Sequence, residues 1–562
     1  MEEVVKQYCK NDILIITPNF PYENDPNLFG FVYNKIKKYN ANGLNADIAV
    51  VNDSAMNVQE IIEYRGIKFL RTGYNQLRDL LLEKKYKKIL IHCCVPKYFK
   101  ILNACNIMNT QIFIYSYGND MIEELQNVTD RFKVGELNDV KRYNERPNVK
   151  FIFISNEAKS AMEEKLGFKL KNTEIIPLFI NGKIFEGVNQ NVQQISEDES
   201  IKSEIKMIND FDNVEKIEIP EMKKTPTLSI SIASYNVQKF IVQILCNLLR
   251  SKYADELEIL VVNDGSKDNT VKVVEDFIKE NYHGKKDCSV IRLIDKPNGG
   301  HGSTINKGLE LATGKYFRLL DGDDYFIVDG LDRFIELLDK EDSDLIFTEY
   351  YEDYAITGEY KRTNLYYQIT PYVKYTLDQL TENGFGIEEW GPLLHTTTYK
   401  TKLLQDLNFK IDEHCFYVDN EFNLMGLLAA NTVKLYPLYI YSYYLGRPGQ
   451  SVSPEGYKKN VRQLETVTMR IIDEYEKRKN ALSDGKKKYI SNHMVINLCY
   501  TMYWIVTELF TDGKEFKIFD DKLKQYPEFY NNKKFVTKRV ELYRKSNGKL
   551  VWANRLINKL HR

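Results

Sequence analysis

Apolar residues in the first third of the chain fall into short runs that are rich in Ile and Val. These runs cover residues 12–18, 46–51, 87–93, 111–118 and 149–155. Between them lie segments such as residues 31–40 and 74–83, whose apolar positions recur at helical spacing. This alternation predicts a parallel sheet that is covered by helices on both faces.

A second alternating unit begins at Thr227, after a polar and acidic stretch. Residues 189–224 are poor in apolar side chains and include the acidic run SEDESIKSE, which predicts a linker, either without regular structure or with a short ordered piece near Val214–Ile219. From Thr227 to Leu320 the pattern predicts four strands and three helices in alternation. Beyond Val452 the pattern becomes helical and basic, with 24 Lys and Arg against 13 Asp and Glu.

These changes predict an α/β chain with a Rossmann-like N-terminal domain, a second α/β domain and a C-terminal helical region. The predicted bounds are 1–188, 189–224 for the linker, 225–453 and 454–562. The basic helices have two interpretations. They contact anionic lipid head groups, or they pack on the central domain and expose their charges to solvent, which is the more common situation for Lys.

Overall composition excludes several classes of protein. Lys and Arg number 78 against 79 Asp and Glu, a balance that argues against a nucleic-acid binder. The first twelve residues lack the apolar core of a signal peptide, and the apolar stretch at 495–510 is too short to span a bilayer. The eight cysteines show no CxxC pair, which favours reduced thiols. We therefore expect a cytoplasmic protein, with peripheral contact at the inner face of the membrane as an open alternative.

Polar clusters end three of the predicted strands in the second unit. They are 234–236 (Ser-Tyr-Asn), 263–266 (Asn-Asp-Gly-Ser) and 321–324 (Asp-Gly-Asp-Asp). Ligands bind at the carboxyl ends of parallel strands, so the three clusters should meet at one edge of the sheet. Three carboxylates within four residues repel one another unless a cation is present, and Mg²⁺ or Mn²⁺ meets that need. The alternative is a solvated acidic turn.

The motifs in this unit resemble glycosyltransferase family 2 enzymes of the GT-A fold. The segments are SIASYNVQKFI (231–241), ILVVNDGSKDNT (259–270), NGGHGSTINKGLELATGKYF (298–317) and LLDGDDYF (319–326). They occur in the family's order and spacing, and the resemblance extends more weakly to about Ser453.

The resemblance implies a nucleotide-sugar site and a bound Mn²⁺ or Mg²⁺. Tyr235 and the backbone around Ala233 would lie against the nucleobase, and Asp264 would accept a hydrogen bond from it. Asp321 and Asp323 would form the family's DxD signature, with Asp323 and Asp324 as metal ligands. The complete implied donor-binding set is Ala233, Tyr235, Asn236, Asp264, Asn298, Gly299, His301, Asp321, Asp323 and Arg447.

One position departs from the family pattern. The family usually has Arg-Asn after Thr304, whereas this chain has Ile305 and Asn306. Either His301 or Lys307 replaces the missing cation, or the diphosphate is held differently. His301 precedes a predicted helix whose N-terminal N–H groups favour anions, so we place it beside the pyrophosphate; the alternative is a loop histidine satisfied by backbone groups.

An inverting transfer needs a base on the acceptor side. Residues 415–422 (CFYVDNEF) resemble the family's Glu-Asp-x-x-Phe segment, so Asp419 would be the catalytic base. Glu421 and Glu413 are the reserve candidates. Asp is also a favoured N-cap residue, so Asp419 has the alternative role of capping the following helix.

Three further residues have weaker assignments. Trp390 is either a stacking platform for an acceptor sugar or a packing anchor. His395 lies in a Leu-rich run and is expected to be a core histidine. Arg447, in a segment that resembles the family's flexible loop after the base, either pairs with the diphosphate or is solvated.

The N-terminal domain has a resemblance of its own. LIITPNFPYEND (14–25), VKFIFISNEAKSAMEEKLGF (149–168) and IIPLFINGKIF (175–185) resemble the N-terminal half of a GT-B glycosyltransferase of family 4. The donor-binding half of such an enzyme does not follow. The resemblance therefore implies acceptor recognition or domain packing, without sugar transfer by this domain alone.

We therefore expect a metal-dependent inverting glycosyltransferase that uses a nucleoside-diphosphate sugar, with UDP favoured. The acceptor would be a hydroxyl of a glycan or lipid-linked glycan in cell-surface polysaccharide synthesis, and no nucleic acid is expected as a partner. The alternative is a noncatalytic glycan-binding or scaffold protein derived from transferase folds. A nucleotidyltransferase is disfavoured because Ser231–Asn236 carries no Gly/Lys/Arg phosphate loop. The donor sugar, the linkage and the oligomeric state stay open.

Overall fold

The computed structural model divides the chain into two compact units. The first comprises Met1–Ile217 with Asp353–Lys361, and the second comprises Glu218–Glu352 with Arg362–Arg562. The structure describes residues 7–23, 25, 28–51, 59–93, 96–103, 105, 107–117, 134–180, 183–184, 195–285, 287–354, 360–382, 392–446 and 453–551.

The first unit is built on an eight-stranded sheet. Its strands are β1 Ile13–Thr17, β2 Asp47–Val51, β3 Gln59–Tyr64, β4 Ile67–Thr72, β5 Lys88–His92, β6 Gln111–Ser116, β7 Val149–Phe153 and β8 Thr173–Ile175. The order is β3-β4-β2-β1-β5-β6-β7-β8. All pairs run parallel except the β3–β4 hairpin. A separate short hairpin follows, formed by β9 Phe179–Ile180 and β10 Lys183–Ile184.

Helices connect these strands and bury both faces of the sheet, which confirms the predicted Rossmann-like class. Their bounds are Gly30–Ala41, Tyr74–Glu83, Pro96–Asn103, Val134–Glu145, Asn156–Leu166 and Glu197–Asp210. One apolar cluster contains Leu14, Ala49 and Ile89, and a second contains Ile15, Ile48 and Leu90. Neighbouring strand residues thus point to opposite faces, as the pleat requires.

The last of these helices lies inside the segment expected to be a linker. Glu197–Asp210 begins with a capping box in which Ser196 and Glu199 bond each other's backbone N–H. Ile201 and Ile208 enter the core of the first unit. The structure therefore differs from the linker prediction: the acidic first turn favours a helix N-terminus, and the sparse apolar residues form one buried stripe.

A buried ion pair joins this helix to the rest of the first unit. Lys35 Nζ lies 2.9 Å from Glu204 Oε1, and the Glu204 side chain has no exposed surface. The hydroxyl of Tyr39 donates to the same oxygen at 2.5 Å. Removing one partner of such a pair lowers stability far more than replacing both partners, because the remaining buried charge is left unpaired.

We expect Lys35→Met to destabilise the first unit by about 3–5 kcal/mol, because it leaves the Glu204 carboxylate without its cation. The double variant Lys35→Met/Glu204→Gln should recover most of that loss. Urea denaturation, read by hydrogen exchange in peptides from residues 28–51 and 195–217, measures both. If the double variant were no more stable than the single one, the ion pair would not be what holds the helix.

The second unit contains a ten-stranded mixed sheet. Its strands are β11 Leu228–Ser234, β12 Leu257–Asp264, β13 Ile291–Lys296, β14 Tyr316–Asp321, β15 Tyr325–Phe326, β16 Leu345–Tyr354, β17 Tyr360–Arg362, β18 Lys374–Thr376, β19 Thr397–Lys400 and β20 Thr432–Leu445. The order is β13-β12-β11-β14-β19-β16-β20-β15, with β17 on β16 and β18 on β20. The first four are parallel, while β19 runs antiparallel to both β14 and β16.

The helices of the second unit cover this sheet and form a C-terminal layer. Their bounds are Ile241–Leu249, Thr270–Asn281, His301–Leu311, Val328–Asp339, Leu377–Glu382, Thr401–Asp406, Asp419–Ala429, Pro454–Arg478, Asp484–Tyr489, Ile496–Glu508, Lys514–Leu523, Pro527–Tyr530 and Lys538–Lys545, with a π-helical turn at Ile490–Val495. None of the helices in the described residues is long and apolar enough to cross a membrane.

The C-terminal layer shares one apolar core with the sheet. Val467, Ile471 and Met502 belong to the same cluster as Phe422 and Tyr399. The region beyond residue 453 is therefore part of the second unit, as the packed interpretation of its sequence requires.

Candidate active site

A cleft of about 510 Å³ opens at the carboxyl ends of β11, β12 and β14. Its lining residues are Ala233, Ser234, Tyr235, Val237, Asp264, Asn298, Gly300, His301, Thr304, Asp321, Gly322, Asp323, His414, Cys415 and Phe416. All three polar strand ends contribute to it, which is the arrangement expected for a ligand site on a parallel sheet.

Asp264 is the most heavily bonded residue of this cleft. Its carboxylate accepts from Lys296 Nζ at 2.6 Å and from Asn298 Nδ2 at 3.0 Å. The N–H groups of Gly299 and Gly300 add bonds of 2.8 Å each. Burial by itself raises the pKa of Asp264, but these donors outweigh burial and hold the pKa below its ordinary value. A nucleobase N–H would have to share an oxygen that already has protein donors.

The turn that binds Asp264 also fixes the start of the helix His301–Leu311. Gly300 has φ 80°, a backbone conformation that favours glycine. A Cβ on Gly302 would lie 2.0 Å from the carbonyl oxygen of Asp412, so the helix start and the 411–415 segment are in direct backbone contact. The Gly-Gly-His-Gly run is therefore needed for packing as well as for any ligand.

His301 is the first residue of this helix and faces the acidic strand end. Its Nε2 lies 3.3 Å from Asp321 Oδ1. Burial lowers the pKa of His301, but the carboxylates of Asp321 and Asp419 outweigh burial and raise it above its ordinary value. The carboxylates therefore favour the protonated form of His301 beside Asp321.

The other residues considered as replacements for the family's Arg lie elsewhere. Ile305 is buried, with 1% of its surface exposed. Lys307 pairs with Glu310 at 2.8 Å and does not line the cleft. Among the described residues that line the cleft, His301 and His414 are the only side chains able to carry a positive charge.

The three carboxylates of 321–324 separate into two groups. Asp321 and Asp323 line the cleft. Asp324 is 2% exposed and faces β20 instead, where the Tyr441 hydroxyl donates to Oδ2 at 2.7 Å and the Tyr444 N–H donates to Oδ1 at 2.9 Å. This geometry does not support Asp324 as a metal ligand, because both of its oxygens hold the turn against β20.

Asp419 begins the helix Asp419–Ala429 and is coupled electrostatically to the cleft. Burial raises its pKa, and Asp321 raises it further, whereas His301 lowers it. The N-cap position belongs to Val418, which makes no side-chain cap bond. Asp419 is therefore the first residue of the helix and does not act as the N-cap.

The reserve bases occupy different surroundings. Glu413 is exposed, and Asn306 Nδ2 lies 3.5 Å from its Oε1. Glu421 has no exposed surface, and its Oε2 accepts the Asp412 N–H at 2.9 Å. Neither side chain lines the cleft, and Asp419 is also not among its lining residues. Trp390 and Arg447 lie outside the described residues, so their assignments stay predictions.

Two predicted donor-site residues and the predicted core histidine have different surroundings. Tyr235 is 46% exposed and lines the cleft. Asn236 does not line it, and instead its Oδ1 accepts the Lys267 N–H at 2.8 Å. His395 stacks on Tyr443 with ring centroids 4.8 Å apart, and burial lowers its pKa to about 3. It is therefore held neutral, as a core histidine is.

One wall of the cleft comes from three residues to which the sequence assigned no role, although two of them begin the segment 415–422 predicted to carry the base. His414, Cys415 and Phe416 line the cleft, and the C-terminal layer holds their loop through Gln463, whose Oε1 accepts the Phe416 N–H at 2.7 Å. These partners lie 47 positions apart, and no motif links them. The one available signal was His414 (φ 54°), since His is among the residue types enriched at positive φ.

Known proteins resemble the second unit. Residues 229–405 match the family model Glycosyl transferase family 2. The chain is 30% identical to the "Uncharacterized glycosyltransferase EpsJ" of Bacillus subtilis (strain 168) over 221 residues, which cover 38% of this chain and 61% of EpsJ. It is 26% identical to the "Poly(ribitol-phosphate) beta-N-acetylglucosaminyltransferase TarS" of Staphylococcus aureus over 243 residues, 42% of this chain and 39% of TarS.

The chain thus spans less than two thirds of the length of both relatives. Among solved structures, S. aureus TarS 1–349 in complex with UDP-GlcNAc aligns at a TM-score of 0.42 with 19% identity, over 58% of this chain and 89% of that chain.

We expect Glu421→Gln to stabilise the protein increasingly as pH rises. Burial and the Asp412 carboxylate raise the pKa of Glu421, whereas the Asp412 N–H and Arg470 lower it by less. The net effect raises the pKa from 4.5 to about 7. Because the folded state holds this proton more tightly, wild type loses stability relative to the variant between about pH 4.5 and 7, by on the order of 2–3 kcal/mol in total.

Urea denaturation at half-unit steps from pH 5 to 8.5 measures this difference. Gln keeps the carbonyl that accepts the Asp412 N–H, so the variant isolates the charge. Exposed Glu413→Gln serves as the control and should show no such trend. A pH-independent difference for Glu421→Gln would contradict the assignment.

Proposed function

We propose that this protein, whose residues 229–405 match glycosyltransferase family 2, transfers a sugar from a nucleoside diphosphate to a hydroxyl of a glycan, with inversion at C1. The observation that carries the proposal is the grouping of Asp321, Asp323 and His301 in one cleft, with Asp419 electrostatically coupled to it. A scaffold protein has no need for a partly buried carboxylate of raised pKa, such as Asp419, beside other carboxylates.

The donor would lie across the strand ends. Tyr235 offers an exposed ring face for the nucleobase at the end of β11. The diphosphate would then reach the end of β14, between Asp321 and Asp323 and the start of the helix His301–Leu311. There His301, when protonated, and the helix N–H groups would favour negative charge.

Asp321 and Asp323 fit a hard divalent cation such as Mg²⁺ or Mn²⁺. Within the described residues, His, Cys, Asp and Glu form no group of three or more that would hold a metal alone. Mg²⁺ sites, however, commonly use one or two carboxylates and take their other ligands from substrate phosphates and water. The ion would neutralise charge on the departing nucleoside diphosphate.

Asp419 would be the base. Its raised pKa suits a carboxylate that must take a proton from the acceptor hydroxyl as that oxygen attacks C1. The position on the first turn of a helix anchored in the core fixes the carboxylate while the substrates change.

The acceptor would be a glycan or a lipid-linked glycan. The name of TarS states a polymeric acceptor, poly(ribitol-phosphate), for that relative, and we extend the expectation of a polymeric acceptor to this chain. The first unit would contribute to acceptor recognition. Contact of the basic helices with an anionic membrane is a further part of this proposal.

We expect UDP to bind wild type in the presence of Mn²⁺, and Asp323→Asn to weaken that binding at least tenfold. The variant removes a charge that faces both metal and diphosphate. Isothermal calorimetry with UDP and GDP, with and without Mn²⁺, measures the effect. Asp276→Asn, an exposed carboxylate on the helix Thr270–Asn281, is the matched control.

Binding of GDP in place of UDP would keep the enzyme and change the donor. If neither nucleotide bound the folded wild type, the transferase proposal would fail and the scaffold alternative would replace it.

We expect Asp419→Asn to lower kcat by about 10²–10⁴-fold, the usual contribution of a general base. UDP affinity should stay within about twofold, because Asp419 acts on the acceptor. UDP release from a panel of UDP-sugars and oligosaccharides measures turnover, with Glu413→Gln as the control. Full turnover in Asp419→Asn would exclude it as the base.

A further inference from the structure

A connected row of aromatic side chains leads away from the cleft. Phe416, which lines the cleft, lies 6.4 Å from Tyr417 between ring centroids. Tyr417 stacks on Tyr457 at 5.7 Å, and Tyr457 meets Trp504 edge-on at 6.2 Å. Tyr500 precedes Trp504 by four residues on the helix Ile496–Glu508, so the two share one face.

Three members of this row are exposed, and the two between them, Tyr417 and Tyr457, are half-buried. Phe416 is 50% exposed, Trp504 40% and Tyr500 58%. Single exposed aromatic residues are ordinary on protein surfaces, but a contiguous exposed group marks a site of interaction. Tyr417 and Tyr457 connect the exposed rings.

Backbone strain at the start of the row also indicates a site of interaction. Tyr417 has φ 66°, an uncommon conformation for a bulky aromatic residue. It is held there by Asn420, whose N–H and Nδ2 donate to the Tyr417 carbonyl at 3.2 and 3.0 Å. Strain of this kind persists where the surroundings enforce it, typically at functional sites. Here it sets the Phe416–Tyr417 pair two residues before the proposed base.

The lack of Lys and Arg on the helix Ile496–Glu508 argues against an anionic membrane as the partner of this surface. No Lys or Arg occurs between residues 489 and 513, although the C-terminal region as a whole is basic. An anionic membrane is attracted by clustered Lys and Arg, which this helix lacks. Exposed Asn497, three residues before Tyr500, instead adds an amide to the same face.

Uncharged aromatic faces with neighbouring amides suit sugar rings. The ring face of an aromatic residue carries partial negative charge, and the C–H groups on the face of a sugar carry partial positive charge. Sugar hydroxyls at the ring edge remain available for amide and water hydrogen bonds. The row begins in the cleft, where the terminal sugar of an acceptor chain would have to lie to receive the transferred sugar.

We propose that Phe416, Trp504 and Tyr500 form a stacking track for an oligosaccharide acceptor, which extends from the cleft onto the helix Ile496–Glu508. This inference rests on the proposed transferase function. It specifies the acceptor as a chain of several sugar units, bound along its length while its terminal hydroxyl lies at Asp419.

The test is the dependence of acceptor KM on chain length. Oligosaccharides of two, four and six units from a glucan, a galactan and an N-acetylglucosamine polymer are assayed at saturating UDP-sugar. For the series that wild type glycosylates, KM should fall as the chain lengthens. Trp504→Ala/Tyr500→Ala should abolish that fall and raise the KM of the six-unit chain about tenfold, since it removes two of the three ring contacts.

Matched variants separate stacking from folding. Trp504→Phe keeps a ring face and should restore most of the length dependence. Tyr367→Ala removes another exposed aromatic residue (60% exposed) outside the row and should keep the wild-type pattern. UDP affinity of each variant, measured by calorimetry, reports whether the donor site is intact.

The failures are distinguishable. If wild type bound neither UDP nor GDP, the proposed function itself would be overturned. If wild type binds UDP and turns over but KM falls with chain length in no oligosaccharide series, the track alone is overturned. The same holds if the double variant keeps the fall of KM with chain length. Loss of binding to phosphatidylglycerol vesicles in the double variant, with acceptor KM unaltered, would overturn it in favour of a membrane surface.

Discussion

The buried carboxylate of Asp264 is the contact on which the cleft depends. It lies at the end of β12 and takes donors from Lys296, Asn298, Gly299 and Gly300. Those bonds close the turn between β13 and the helix His301–Leu311, and the turn places His301 beside Asp321. Burying a carboxylate costs free energy unless several hydrogen bonds replace its lost hydration. The arrangement at the start of the helix is therefore specified by a single residue at the end of another strand.

A second constraint acts from the C-terminal layer. The segment after Phe409 is tied to the helix His301–Leu311 by Asn306, which exchanges hydrogen bonds with the backbone of Ile411. Glu421 holds Asp412, and Gln463 holds Phe416. The helical layer thus builds one wall of the cleft, in addition to covering the sheet. Loss of that layer would expose the shared apolar core and release the wall at once.

The parts predicted from sequence were those set by local pattern. Alternating apolar runs fixed the strands, and the rule that parallel strands end at one edge brought Asp264 and Asp321 together. The sequence could not reveal that Asp324 turns to Tyr441 and Tyr444, because those partners lie 117 and 120 residues later. The helix Glu197–Asp210 was missed because composition was weighed above spacing: Ile201, Ile205 and Ile208 already form a helical stripe.

Charge balance explains why a cation belongs in the proposed mechanism. Three carboxylates line the cleft: Asp264, Asp321 and Asp323. Among the described lining residues, only the imidazoles of His301 and His414 could carry a compensating positive charge. The charge of Lys296 is already paired with Asp264. A nucleoside diphosphate would add further negative charge to a partly buried site, where repulsion is screened less than in water. With Ile305 in the place of the family's Arg, His301 and a divalent ion would together have to offset that charge, so the binding of metal and diphosphate should be mutually dependent.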